Sequence, residues 1–191
     1  MSNKITLEWK GPHSLREDKD RKQFLPPETP GIYIWCVGTL DSLLLSYVGK
    51  ANDLKNRMYE HMFWMLGGRY CLYGEDHFLE GAQPNPEYKP SFNKLLSDFI
   101  KNFDSRSALA YYNLTHYTYF WAVMKKDWNI QRAVESAIIQ RGRKWGQPLQ
   151  NDSLSLRPEN SPNIEIKSTF ESATFPSALS ETIRYGPNFQ K

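Results

Sequence analysis

The segment GIYIWCVGTLDSLLLSYVGKANDLKNRMYEHM, Gly31 to Met62, carries Tyr33, Tyr47, Lys50, Arg57 and His61 within about thirty residues, a set that a hydrophobic core does not require. Hydrolysis of a phosphodiester needs an oxygen nucleophile relieved of its proton, positive charge facing the phosphate, and help for the leaving oxygen. Two phenols and an imidazole are groups that move protons. The guanidinium of Arg57 presents a planar fork to two phosphate oxygens and keeps its charge at any working pH. Glu135, far along the chain, is a hard oxygen donor of the type Mg²⁺ and Mn²⁺ take, although a glutamate on a helix flank is more often a solvated surface residue.

These side chains act together only if the elements that carry them converge. GIYIWCVG and LLLSYVGK are β-branched and aromatic runs separated by Gly, Asp and Ser, which predicts an antiparallel hairpin. Alternation puts Tyr33, Trp35 and Val37 on one face of it and Ile32, Ile34 and Cys36 on the other. After Gly49 the period changes: Leu54, Met58, Met62 and Met65 recur at helical spacing, with Asn52 or Asp53 placed to cap a helix over about 53–66. Arg57 and His61, four apart, then lie one above the other on a flank of that helix.

Residues 67–114 read as an insertion rich in Gly and Pro at its start, with a helical pattern over 91–103 through Phe92, Leu95, Leu96, Phe99 and Ile100. THYTYFWAVM (115–124) predicts a strand and NIQRAVESAIIQRGRKW (129–145) a helix with Ile130, Val134, Ala137 and Ile138 facing inward. GQPLQNDS leaves that helix by a turn and carries Asn151. Residues 1–30 are polar, with three prolines in PPETP, and read as an N-terminal extension in the form of a short strand, an arm or a surface helix. From 153 to 191 the Ser, Pro and Asn content predicts a loosely packed C-terminal tail.

In order and residue type, GIY at 31–33, YVG at 47–49, the following GKANDLKNR, Glu135 inside a later helix and Asn151 after it resemble the GIY-YIG nuclease family, with valine where isoleucine is usual. The resemblance spans residues 31–152, interrupted by 67–114. It implies an α+β fold, a small three-stranded antiparallel sheet flanked by helices, with a helical insertion between the first core helix and the third strand. It also implies a divalent-metal-dependent DNA endonuclease with one metal ion per active site. Tyr33 would be the general base, with Lys50 as a source of charge favouring its phenolate, and Tyr47 would orient water or phosphate. Arg57 would stabilise charge, His61 would bind phosphate or share proton transfer with Tyr33, and Glu135 would hold the metal. Asn151 would hold its loop by hydrogen bonds.

Composition is compatible with this and selective against other classes. The 191 residues are 40% hydrophobic and 24% charged, which is the usage of a globular domain. Two cysteines, Cys36 and Cys71, are too few for a disulfide framework or a Cys-rich zinc site. No apolar run is long enough to span a membrane, and a cytoplasmic protein is expected. A net charge of +3 suits docking on phosphate. Lys125, Lys126, Arg132, Arg141, Arg143 and Lys144 cluster around the second helix as candidates for tracking the backbone of duplex or branched DNA, although a solvated helix face accounts for the same residues. Phe63, Trp64, Tyr70, Tyr73 and Phe78 offer rings for stacking or for a second small core. A double-strand cut would call for a homodimer or two successive events. The alternatives are a nucleic-acid-binding module that keeps the fold without turnover, and an interaction protein that is indifferent to loss of Glu135.

Overall fold

Residue types that alternate along GIYIWCV place apolar side chains on both faces of one strand, and such a strand needs cover on both sides. The computed structural model describes residues 2–16, 22–23, 25–39, 42–81, 85–90, 97, 100–151 and 153–189. The strand in question is β3 (Gly31–Val37), buried at every position. It pairs antiparallel with β4 (Leu44–Ala51), as the hairpin reading predicts, and on its other side with β5 (Thr118–Val123). In the register Tyr33 lies opposite Gly49 and Trp121, and Ile32 opposite Lys50 and Ala122.

The expected small three-stranded sheet is corrected here, while the α+β class stands. The sheet runs β4-β3-β5-β1-β6-β7, with a short β2 (Lys22–Gln23) added beside β1. β1 (Asn3–Ser14) is the strand among the readings open for residues 1–30. Its first part lies parallel to β6 (Ile164–Phe170) and its last part antiparallel to β5. β7 (Ile183–Tyr185) closes the sheet against β6. The predicted loose tail is therefore also corrected. Ile164, Ile166, Leu179, Ile183 and Tyr185 join one core with Leu7 and Trp9 of β1. The physical cause is the two-residue alternation in TLEW, NIEI and TIRY. Each stretch is too short to signal a strand alone, and each buries one apolar face once paired.

Two cores follow from the two faces of β3. On one face Ile32, Ile34 and Cys36 pack under α4 (Trp128–Lys144), whose Ala133, Val134, Ala137 and Ile138 are buried. On the other, Tyr33, Trp35 and Val37 pack with Leu54, Met58 and Met65 of α1 (Leu54–Leu66). Both helices start on an aspartate cap: Asp53 accepts from Asn56 N at 2.9 Å and Asp127 from Ile130 N at 3.0 Å. Neither helix is displaced from its predicted span by more than a residue.

The insertion supplies α2 (Glu75–Leu79) and α3 (Phe103–His116). α3 continues through His116, so the strand predicted from 115 begins at 118. Phe92, Leu95, Leu96 and Phe99 lie outside the described residues, and Ile100 is exposed. Tyr73 and Phe78, two of the rings read as open to stacking or to a second core, are buried in the second core with Leu72. Among the described residues, no helix is long and apolar enough to cross a membrane. Because Ile166 is 1% exposed within the first core, Ile166→Ala should cost about 3 kcal/mol of folding free energy in urea titration. A truly loose tail would give no measurable loss.

Candidate active site

A cleft of about 510 Å³ opens at the end of the hairpin, lined among others by Tyr33, Tyr47, Lys50, Arg57, Trp128 and Glu135. Two groups of side chains reach it from opposite faces of the sheet, around the edge strand β4.

The first group is built on the α1 face. Gly49 faces Tyr33 across the β3–β4 ladder, and a Cβ at position 49 would overlap the hydroxyl end of the Tyr33 ring. Its absence lets the phenol lie across β4 toward α1. There Arg57 Nε donates to the Tyr33 hydroxyl at 3.2 Å, and His61 Nε2 lies 2.6 Å from the same oxygen. His61 Nδ1 is 2.9 Å from the hydroxyl of Tyr70, and Arg57 Nη1 is held by Glu60 Oε2 at 2.7 Å. The predicted stacking of Arg57 and His61 on one helical flank is what brings both to one phenol.

Charge in this group is set by burial. Burial pushes the His61 imidazole down to about 3, helped by the neighbouring Arg57 charge. His61 is therefore neutral near pH 7. A neutral imidazole donates through one nitrogen and accepts through the other, so His61 joins Tyr33 and Tyr70 in one directed chain. Burial also holds the Tyr33 phenol well above its ordinary value, with Tyr47 adding and Arg57 opposing. For Arg57, burial works against the charge, but Tyr33 and Glu60 outweigh it and hold the guanidinium protonated.

The second group is built on the α4 face. Glu135, 6% exposed on that helix, accepts from Lys50 Nζ at 2.8 Å. Ser155 Oγ donates to the same carboxylate oxygen and accepts from Lys50 Nζ at 3.0 Å. The ammonium also lies 4.9 Å from the centroid of the Trp128 ring. Lys50 thus projects from the face that holds Ile32, away from the Tyr33 ring. The expectation that Lys50 favours a Tyr33 phenolate is corrected: the cation at that hydroxyl is Arg57. A Mg²⁺ or Mn²⁺ ion in this cleft would have Glu135 as its carboxylate, whose Oε2 Lys50 and Ser155 already engage. Among the described residues, no cluster of three or more His, Cys, Asp or Glu side chains offers a multi-ligand metal centre.

Asn151 lies beside β4 and bonds to its backbone. Its side chain accepts from Val48 N at 3.0 Å and donates to Val48 O at 2.9 Å, so an amide side chain pairs with the outer edge of β4 like a neighbouring strand. The candidate DNA-contacting residues divide. Arg132 donates to Ser155 O at 3.0 Å and Arg143 to Asn151 O at 2.7 Å. Arg141 donates to Ala178 O at 3.1 Å and forms an ion pair with Glu181. These three arginines fasten the chain after α4 onto that helix. Lys125, Lys126 and Lys144 are exposed, the first two just before Trp128 and the last at the far end of a helix about 25 Å long.

Ser155, Glu60 and Trp128 belong to the site without having been singled out from sequence, and Tyr70, read there only as a ring for stacking or for a second core, joins it through His61. Glu60 was legible, since three residues after Arg57 is one turn on the same helix. Ser155 and Tyr70 were not, because their places depend on loops that fold back across the sheet. Comparison with protein-family models, with curated proteins and with solved structures gives no match for this chain. The chemistry is accordingly read from the site's own geometry.

Two outcomes test it. The folded state resists protonation of His61 while the unfolded chain, with an ordinary pKa near 6.5, does not. Stability from this residue is therefore full above about pH 6.5 and declines as pH falls toward 3. Between pH 7.5 and 5.0 the wild type should lose about 2 kcal/mol more unfolding free energy than His61→Gln, measured by urea titration. Gly49→Ala should push the Tyr33 ring out of place and cost about 1–3 kcal/mol, whereas a tolerated alanine would mean the ring has other room.

Proposed function

We propose that this chain is a divalent-metal-dependent DNA endonuclease of the GIY-YIG type. The observation that carries the reading is the convergence of Tyr33, Tyr47, Arg57, Lys50 and Glu135 on one cleft, although they come from two strands and two helices on opposite faces of the sheet. A core or a solvated surface has no need for that convergence.

In this reading a phosphate of the DNA backbone enters the cleft and meets the guanidinium of Arg57, which Glu60 and Tyr33 hold in orientation. The attacking water is positioned by Tyr33 and Tyr47. As it attacks phosphorus, its proton passes to the Tyr33 oxygen while the phenol's own proton passes to Nε2 of neutral His61, 2.6 Å away. Tyr33 therefore works as a base without a resting phenolate, which its burial disfavours. Both His61 nitrogens face phenols inside the protein, which supports proton sharing over direct phosphate binding. When bound at Glu135, the metal supplies charge stabilisation to the leaving oxygen. Lys50 shares the Glu135 carboxylate and keeps it oriented when substrate is absent. Lys125 and Lys126, exposed and just before Trp128 in the chain, meet phosphates flanking the cut.

A binding module without turnover is the second reading, favoured by the Lys50–Glu135 pair, which occupies the oxygen a metal would use. Supercoiled plasmid and branched duplexes incubated with Mg²⁺, Mn²⁺ or EDTA separate the two. Nicking should require the metal, vanish in Glu135→Ala and fall about 10²–10⁴-fold in Tyr33→Phe, with DNA binding retained. Tight binding with no cleavage of any substrate would instead select the binding module.

A further inference from the structure

Behind Tyr47 lies a second chamber of about 380 Å³, within the range of about 300–1,000 Å³ typical of small-molecule sites. Its walls include Trp35, Tyr47, His61, Tyr70 and Tyr73, and Tyr47 also lines the cleft described above, so the two spaces meet at that residue. A phosphate site needs charge and has no use for an aromatic chamber beside it. Building on the nuclease reading, we propose that this chamber receives a single nucleobase turned out of the duplex next to the scissile phosphate. DNA with an unpaired or weakly paired nucleotide is then the substrate class.

Two further observations carry it. Arg69 and Lys89, both exposed, line the same chamber and can hold the phosphates on either side of an extruded nucleotide. Lastly, Tyr70 both lines the chamber and contacts His61 Nδ1 at 2.9 Å, so a seated base bears on the chain of groups that ends at Tyr33. Flat aromatic walls suit any base, because each has a π-face, and unpairing costs least where the base is already mismatched or bulged.

The test compares three duplexes by fluorescence anisotropy with the full chain and no divalent metal: fully paired, with one extrahelical base, and with an abasic site at the same position. The wild type should bind the extrahelical base about 10-fold or more tightly than the paired duplex, and the abasic duplex no better than the paired one. Cys71→Phe, whose ring fills the chamber, should lose the preference while binding paired DNA as before. If that variant does not fold, the wild-type comparison decides alone. Equal binding of all three duplexes overturns the proposal, as does an abasic duplex bound as tightly as the extrahelical base, which would mean that flexibility is being read. Tight binding of a free deoxynucleoside monophosphate with no preference among the duplexes also overturns it. The same duplexes with Mg²⁺ separate the two readings. Cutting without preference removes the base seat and keeps the nuclease, whereas preference without cutting removes the nuclease and keeps the seat.

Discussion

A strand buried along its whole length has to satisfy two cores at once, and β3 does so one residue at a time. Ile32, Ile34 and Cys36 go to the α4 side and Tyr33, Trp35 and Val37 to the α1 side. A one-residue slip would exchange these sets, placing the phenol of Tyr33 among the aliphatic side chains under α4. The register is pinned from both neighbours, by Gly49 on β4 and Trp121 on β5 opposite Tyr33. Close approach matters at the strand's start too, where a Cβ on Gly31 would collide with the Ala122 carbonyl and with Leu54. The glycines of the two motifs are thus explained by space: one admits α1 and β5 to the strand, and the other admits the Tyr33 ring.

Burial then dictates how the site handles charge. A histidine and a tyrosine withdrawn from water are held neutral, and the one guanidinium beside them is kept charged by its partners. On the opposite face the carboxylate of Glu135 is compensated by Lys50 and bonded by Ser155. Every strongly charged group of the two clusters is therefore paired within the protein, which limits the desolvation cost of enclosing them. The same pairing stores the groups in positions that face the cleft.

The chain beyond α4 is part of the wall of this site. Asn151 caps the edge of β4, Ser155 joins the Lys50–Glu135 pair, and Arg132 and Arg143 grip the backbone of that segment. Beyond it, β6 and β7 extend the sheet next to β1 and tie both ends of the chain into one core. Arginines that look, in sequence, like a surface for nucleic acid are mostly committed to these contacts, leaving Lys125, Lys126 and Lys144 exposed.

Local pattern alone determined the hairpin, both capped helices, the sharing of Tyr33, Trp35 and Val37 on one face, and the proximity of Arg57 to His61. Each depends on neighbours a few residues apart, where strand or helix periodicity sets direction. Tertiary structure decided what periodicity leaves open. The pairing of β1 with β6 across the length of the chain, and the return of Ser155 and Tyr70 to the site, arise from contacts whose partners are distant in sequence and whose own segments carry weak signals. Lys50 shows the division within one residue: its place at the end of β4 was legible. Which face of the sheet its ammonium serves followed from the register with Ile32 and the packing of α4, where Glu135 supplies the opposite charge.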